Sequence, residues 1–186
     1  PVRFRFHDTP TLGTMALFKR KKNIGELITV SKILKEKNIK SKTIIAGQRK
    51  RLEYFYKLQS ILDKTQDVIE FHPWVKDKID FFDSIDIFCL NSTSEAFGMV
   101  LTEAMARKKI VVSTDCDGPK EIITHGVDGF LVSKRSPEKF SQIIEEIING
   151  KYDLELITEN AYKRAKTMAL ESFQSKLKTI LHKVSK

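Results

Sequence analysis

Two hydrophobic patterns alternate along the chain. Short, nearly unbroken apolar runs predict strands: "TLGTMALF" (11–18), "KTIIAG" (42–47), "VIEFH" (68–72), "IDIFCL" (85–90), "KIVVST" (109–114) and "GFLV" (129–132). Between them, apolar positions recur every three or four residues. "NIGELITVSKILKEKN" (23–38) carries Ile24, Leu27, Ile28, Ile33 and Leu34, and "RLEYFYKLQSILDK" (51–64) carries Leu52, Phe55, Tyr56, Leu58 and Leu62. Both predict amphipathic helices. Shorter helices are expected at 76–83, at 98–107 and from "DGPKEII" onward at 117. Helix 137–149 starts with Ser136 as N-cap and Pro137 at the first helical position, where its fixed φ pre-sets the turn. A long final helix is expected over about 158–184.

Strands as continuously apolar as "KTIIAG" and "KIVVS" belong in a sheet covered on both faces, hence a parallel one. Six of them alternating with helices predict an α/β fold, a doubly wound Rossmann-like sheet with right-handed crossovers. Residues 11–186 form that unit with its long final helix. The first ten, "PVRFRFHDTP", fall outside the pattern and read as a connection to further sequence; Pro1 is no initiator methionine.

Composition narrows the partners. Among 186 residues, 33 Lys and Arg against 24 Asp and Glu give a net charge of +9, which favours anions: nucleotides, nucleic acid or an acidic membrane face. The two cysteines, Cys89 in an apolar run and Cys116 in a polar turn, have no CxxC or Cys/His spacing. That argues against zinc and a disulfide framework and for a reduced, cytosolic setting. No apolar run approaches the roughly 20 residues of a membrane span, and the opening residues do not read as a signal peptide.

The chemistry concentrates in "NSTSEAFGMVLTEAMARKK" (91–109). In open parallel sheets ligands bind outside the carboxyl ends of the strands, where strand order reverses, and strand 85–90 leads there. Free amides and the dipole at the start of helix 98–107 favour an anion, and Gly98 lets it approach the main chain. Glu95 lies before the first turn, facing the cleft; Glu103 lies more than a turn inside, along the same edge. A carboxylate accepts two hydrogen bonds at once and suits the vicinal hydroxyls of a sugar. Two of them around a held phosphate would grip a sugar–diphosphate–nucleoside at both ends. Spacing alone points first to two solvated glutamates on a surface helix with no ligand.

Motifs go further. Glu95-Ala96-Phe97-Gly98 followed by Glu103-Ala104-Met105-Ala106 resembles the E-x-F-G-x-x-x-x-E-A-M-A signature of retaining glycosyltransferases of the group 1, or family 4, kind. "IVVSTDCDGPKEIITHGVDGFLV" (110–132) is similar to that family's P-V-V-x-T-x-x-G-G-x-x-E-I-I-x-x-G-x-x-G-x-L-V run. The resemblance covers nearly the whole chain, but only the carboxyl-terminal half of a typical member. It implies the donor-binding half of the glycosyltransferase B architecture, with residues 1–10 leading from a missing amino-terminal acceptor domain. By the family pattern Glu103 meets the ribose hydroxyls and Glu95 lies by the transferred sugar. Amides of Phe97, Gly98 and Met99 meet sugar or phosphate, and main-chain groups from Phe71 to Val75 face the base. Lys22 falls on the lysine that meets the diphosphate. Two departures stand out: Pro73 occupies a common glycine position, and Ala16-Leu17 occupies the usual Gly-Arg, so one phosphate-binding cation is absent from its expected place, with Lys19, Arg20 and Lys21 open either as substitutes or as a solvated turn.

The resemblance also implies retention of anomeric configuration, with Lys22 and the helix amides stabilising the leaving diphosphate and Glu95 positioning the sugar. It implies no cofactor and no obligatory metal. The acceptor is expected to be a saccharide or lipid-linked glycan of polysaccharide biosynthesis. The chain alone is expected to bind the donor without transferring it, in the cytoplasm or peripherally at the inner face of a membrane. A hydrolase would need two carboxylates facing across the scissile bond, for which nothing here argues. Two rival readings are a non-catalytic nucleotide-binding module, prompted by the missing arginine at position 17 and the missing acceptor half, and a nucleic-acid-binding module, prompted by the +9 charge with "FKRKKN" and "QRKR". Against nucleic acid, aromatics such as Phe55 and Phe81-Phe82 sit on helical core stripes and do not interleave with the cations.

Overall fold

The computed structural model describes residues 4–47, 58, 62, 65, 67–72, 75 and 77–169. Six parallel strands, β1 (Thr11–Met15), β2 (Lys42–Ala46), β3 (Ile69–His72), β4 (Ile87–Leu90), β5 (Ile110–Thr114) and β6 (Phe130–Val132), lie in the order β3-β2-β1-β4-β5-β6. The order reverses between β1 and β4, paired through Leu12 with Ile87 and Gly13 with Phe88. Among the described residues the helices α1 (Ile24–Glu36), α2 (Lys78–Asp83), α3 (Met99–Ala106), α4 (Asp117–Ile122), α5 (Pro137–Ile148) and α6 (Leu154–Met168) cover the sheet.

Alternation along each strand divides the sheet between two cores, because successive side chains point to opposite faces. Ile45, Ile87, Cys89, Ile110 and Val112 pack with Leu27, Leu34, Phe140 and Ile144 of α1 and α5. Ile44, Phe88, Leu90 and Val111 pack with Phe81, Leu101, Met105 and Ala161 of α2, α3 and α6. Each fully buried side chain of this size contributes roughly 1.5–3 kcal/mol. The strands are continuously apolar because both faces are covered, as the sequence predicts.

Several boundaries move. Strand β1 stops at Met15, and Ala16–Phe18 continue outside it, with Ala16 N donating to Ala46 O (3.0 Å) and Phe18 buried. On α1 the buried stripe takes Val30 in place of Ile33. Ser136 occupies the N-cap of α5 without a side-chain capping bond; its hydroxyl turns back to Lys134 O. The final helix begins earlier than 158, because the Asp153 side chain accepts from Leu156 N (3.0 Å). It ends at Met168, where Ala169 turns extended. Of the stripe expected in 51–64, Leu58 and Leu62 are helical and buried. Leu52, Phe55 and Tyr56 lie outside the described residues, as do "QRKR", Pro73, Trp74 and 170–186.

Residues 4–10 are anchored to the amino-terminal edge of the sheet. The buried Asp86 carboxylate accepts from Thr11 N (2.8 Å) and His7 N (3.2 Å), and His7 Nδ1 lies 2.7 Å from it. This edge is opposite the one where the two reversing strands open.

Candidate functional site

Two loops leave the carboxyl ends of β1 and β4 and are tied together. After β1 the chain forms a single 3-10 turn, Arg20–Lys22, closed by Asn23 in the left-handed region (φ 46°). After β4, Thr93 N donates to Lys21 O (2.8 Å), latching the second loop onto that turn. Lys22 Nζ then reaches Glu95 Oε2 and forms an ion pair between the two loops. Only 18% of the Lys22 side chain and 15% of the Glu95 side chain is exposed. The two residues assigned to diphosphate and sugar thus meet where strand order reverses.

Glu95 is held from several sides. Ser92 Oγ donates to the same carboxylate oxygen (3.2 Å), and Glu95 O accepts from Gly118 N (3.2 Å). Ser92 is itself buried, its carbonyl accepting from Thr114 Oγ1 (2.5 Å) and Cys116 Sγ (2.9 Å). Ser92 is therefore a ligand of Glu95 as well as a loop residue, and Cys116 is buried at the start of α4 and not in an open polar turn. Gly118 is required: a Cβ there would stand 2.6 Å from the Phe97 main chain.

The start of α3 adjoins this pair. Gly98 is its N-cap at φ 92°, a conformation that favours glycine, and a Cβ there would lie 3.5 Å from Glu95 Cγ. Among the described residues no side chain caps this terminus and no acid lies within its first turn, so its first amides are left to a ligand or to water. Phe97 and Met99 flank it with much of their apolar surface in water, Met99 being 67% exposed.

Glu103 is four residues beyond Met99, about 6 Å further along the helix and on the same side. Its carboxylate accepts from Lys78 Nζ on α2 with both oxygens (2.7 and 2.9 Å). This pair is the more open one, at 47% and 31% side-chain exposure for Lys78 and Glu103. Val75, just before α2, is half-buried and packs on the same core as Val100. Glu95 and Glu103 are both engaged, each by a lysine from another element.

Leu17 is half-buried between the buried Ala16 and Phe18. Lys19, Arg20 and Lys21 are exposed, with no ion-pair partner among the described residues. Beneath Lys22, Asn23 Nδ2 donates to Glu26 Oε2 (2.5 Å). Burial pushes the Glu26 carboxyl above the usual range, against the opposing pull of the Asn91 and Asn23 side chains and the Arg135 and Ser136 main chain. Glu26 Oε1 and both polar atoms of the Asn91 side chain are buried without a hydrogen bond of good geometry. The N-x-x-E spacing of Asn23 and Glu26 is a capping-box signal legible in the sequence. Lys78 and Asn91 carry no such signal.

Histidines near the sheet make local contacts: His72 lies 3.2 Å from Glu70, and His125 Nδ1 accepts from Leu131 N (3.1 Å). Phe81 and Phe82 are buried core, not a stacking platform. Among the described residues no three His, Cys, Asp or Glu side chains are grouped to hold a metal ion.

Comparison with known proteins bears on this geometry. The family model for glycosyl transferases group 1 matches residues 2–164. A capsular polysaccharide biosynthesis glycosyltransferase, CapM of Staphylococcus aureus, is 26% identical over 158 residues, covering 85% of this chain and 42% of CapM. The chain thus spans about two fifths of the length of the curated relatives it matches. Among solved structures, Anabaena Alr3699/HepE in complex with UDP-glucose superposes with a TM-score of 0.84 at 21% identity, over 95% of this chain and 49% of that one. The C-terminal domain of LpcC, a group 1 family protein from Francisella tularensis, superposes with a TM-score of 0.74 at 22% identity over 85% of both chains.

Proposed function

The chain belongs to the glycosyl transferases group 1 family, and from that premise we propose that it is the donor half of a two-domain retaining glycosyltransferase. Residues 11–186 bind a nucleoside diphosphate sugar, and residues 1–10 lead toward an acceptor domain outside this sequence. The greater length of the relatives supports that division. So does the LpcC domain, a C-terminal unit of similar extent.

The observation that carries the reading is the meeting of Lys22 and Glu95 beside the uncapped start of α3. An ammonium and free amides suit a diphosphate; a carboxylate next to them suits the hydroxyls of the attached sugar. Glu103, one turn on, suits the ribose, and main chain near Val75 the base. In transfer the anomeric carbon–oxygen bond breaks and its electron pair goes to the diphosphate. The acceptor oxygen bonds to the anomeric carbon on the same face, and its proton passes to the leaving phosphate. Lys22 and the amides of Phe97, Gly98 and Met99 stabilise the leaving charge, an effect worth about 2.7–4 kcal/mol per donor in other enzymes. The scheme uses no metal and no cofactor.

The acceptor is a saccharide or lipid-linked glycan, a class supported by CapM's role in capsular polysaccharide biosynthesis. With such an acceptor we infer a setting in the cytoplasm or at the inner face of a membrane; no helix among the described residues is long and apolar enough to cross one. Leu17 in place of arginine favours a second reading, a domain that binds the donor without turnover.

Thermal unfolding with UDP, GDP, ADP and their sugars tests the proposal. A ligand at 100 times its Kd adds about 2.7 kcal/mol of stability. Stabilisation by one nucleotide series supports the donor reading, and none by any series ends it. Transfer assayed with an acceptor domain supplied separates an active half from a binding module.

A further inference from the structure

Each acid of the candidate site holds a lysine, but the two pairs stand in different surroundings. Lys78–Glu103 is half open to water, so solvent screens it and ribose hydroxyls replace the ammonium cheaply. Lys22–Glu95 is largely withdrawn from water, where a carboxylate stripped of its cation is costly. Resting on the donor reading, we propose that the Lys22–Glu95 pair makes the site selective for an intact nucleotide sugar over the nucleoside diphosphate that transfer leaves behind.

A bound diphosphate draws the Lys22 ammonium toward its own oxygens. Glu95 then keeps the Ser92 hydroxyl, at 3.2 Å, as its side-chain donor. Hydroxyls of an attached sugar supply what Lys22 withdraws; a nucleoside diphosphate has none to offer at that end. Sugar and diphosphate therefore bind cooperatively through a single carboxylate. Once the glycosyl group has left, Glu95 reclaims Lys22 and the product loosens. No other charged group is needed, because Ser92 and Gly118 hold Glu95 in place throughout.

Isothermal titration of this chain with three matched pairs tests the inference: UDP and UDP-glucose, GDP and GDP-mannose, ADP and ADP-glucose. Glu95→Gln keeps the shape and removes the charge that competes for Lys22. The variant is expected to bind the nucleoside diphosphate about tenfold tighter than the wild type, with little gain for the nucleotide sugar. Inorganic pyrophosphate, lacking both sugar and base, should gain in the same direction. Ser92→Ala removes the other donor to Glu95 and should raise the preference for the sugar-bearing ligand. An unchanged preference in both variants overturns the inference and leaves the donor reading standing, since one ammonium then serves carboxylate and phosphate together. A wild type that binds no nucleoside diphosphate and no nucleotide sugar overturns both.

Discussion

Lys22 and Glu95, 73 positions apart in the chain, form one ion pair across the point where the sheet reverses its strand order. Each follows a strand flanking that point, so the fold itself brings them together. Their burial puts the pair between exposed bridges, worth about 0–1 kcal/mol, and fully buried ones, whose breaking costs about 3–5. Lys22→Met should therefore lower unfolding stability by about 2 kcal/mol without ligand. It should weaken nucleoside diphosphate binding by 10- to 100-fold or more, because Glu95 is left as a repelling charge beside the phosphate. Denaturant unfolding and titration calorimetry on the same preparation give the two numbers.

The outer pair should behave differently. Glu103→Ala removes an acceptor whose two oxygens already hold Lys78 at the surface. Its cost in stability should stay below about 1 kcal/mol. Nucleoside diphosphate affinity should nevertheless fall about tenfold or more as two charge-assisted bonds to ribose are lost. Equal binding by mutant and wild type would remove Glu103 from the site. Lys78→Ala, which merely frees the carboxylate, should change affinity by less than about threefold.

Much of this arrangement is legible in the sequence. Unbroken apolar runs fixed the strands, and alternation with helical stripes fixed the parallel sheet, since only a doubly covered sheet needs both. Glu95 could be placed at the cleft edge because a parallel strand delivers its following loop there, whereas Lys22 is brought to the same site only by the family resemblance. Their direct pairing is not legible, because it depends on the turn at Asn23 and the latch between Thr93 and Lys21. Lys78–Glu103 depends on how α2 and α3 rotate against each other, which periodicity does not specify. Thr158, read as a helix start, instead lies inside α6 with its hydroxyl bonded back to Leu154 O (2.8 Å). Asp153, five residues earlier, is the actual cap.

Gly118 offers a test of loop positioning apart from charge. Its amide holds the Glu95 carbonyl, and the absent Cβ leaves room for the Phe97 main chain. Gly118→Ala must push that backbone away by several tenths of an ångström, and overpacking of this kind costs about 1–3 kcal/mol. The amides of Phe97 to Met99 should shift with it. Affinity for a nucleotide sugar should therefore fall although no ligand-binding side chain has changed. A variant destabilised to this extent but binding normally would show that the loop amides do not contact the ligand.

Glu26 gives a pH signature. Burial raises its folded-state pKa above the unfolded value of 4.5, so the folded chain holds that proton more tightly than the unfolded one. This contribution to stability is fully present below 4.5 and is lost as pH rises through the folded pKa. Glu26→Gln cannot ionise, keeps an acceptor for Asn23 Nδ2, and should flatten the decline. The melting temperature of the variant relative to wild type should climb between pH 4.5 and 7. A constant difference across that window would mean the carboxylate is as well satisfied folded as unfolded.

Leu17 is the place to ask whether the missing cation limits the site. Ala16 is locked to Ala46, and Phe18 is buried against Gly47, where a Cβ would stand 2.6 Å from its ring. The half-exposed residue between them is thus free to change without disturbing either anchor. Leu17→Arg forfeits some apolar burial, at most about 1 kcal/mol. A guanidinium there gains a bidentate partner if the diphosphate lies beside Lys22, and charge-assisted bonds of that kind contribute about 1.5–3 kcal/mol. Nucleoside diphosphate affinity should rise at least about tenfold, with a steeper decline as salt is added. An unchanged affinity in a folded Arg variant would place the diphosphate out of reach of the β1 loop, and Lys22 with it.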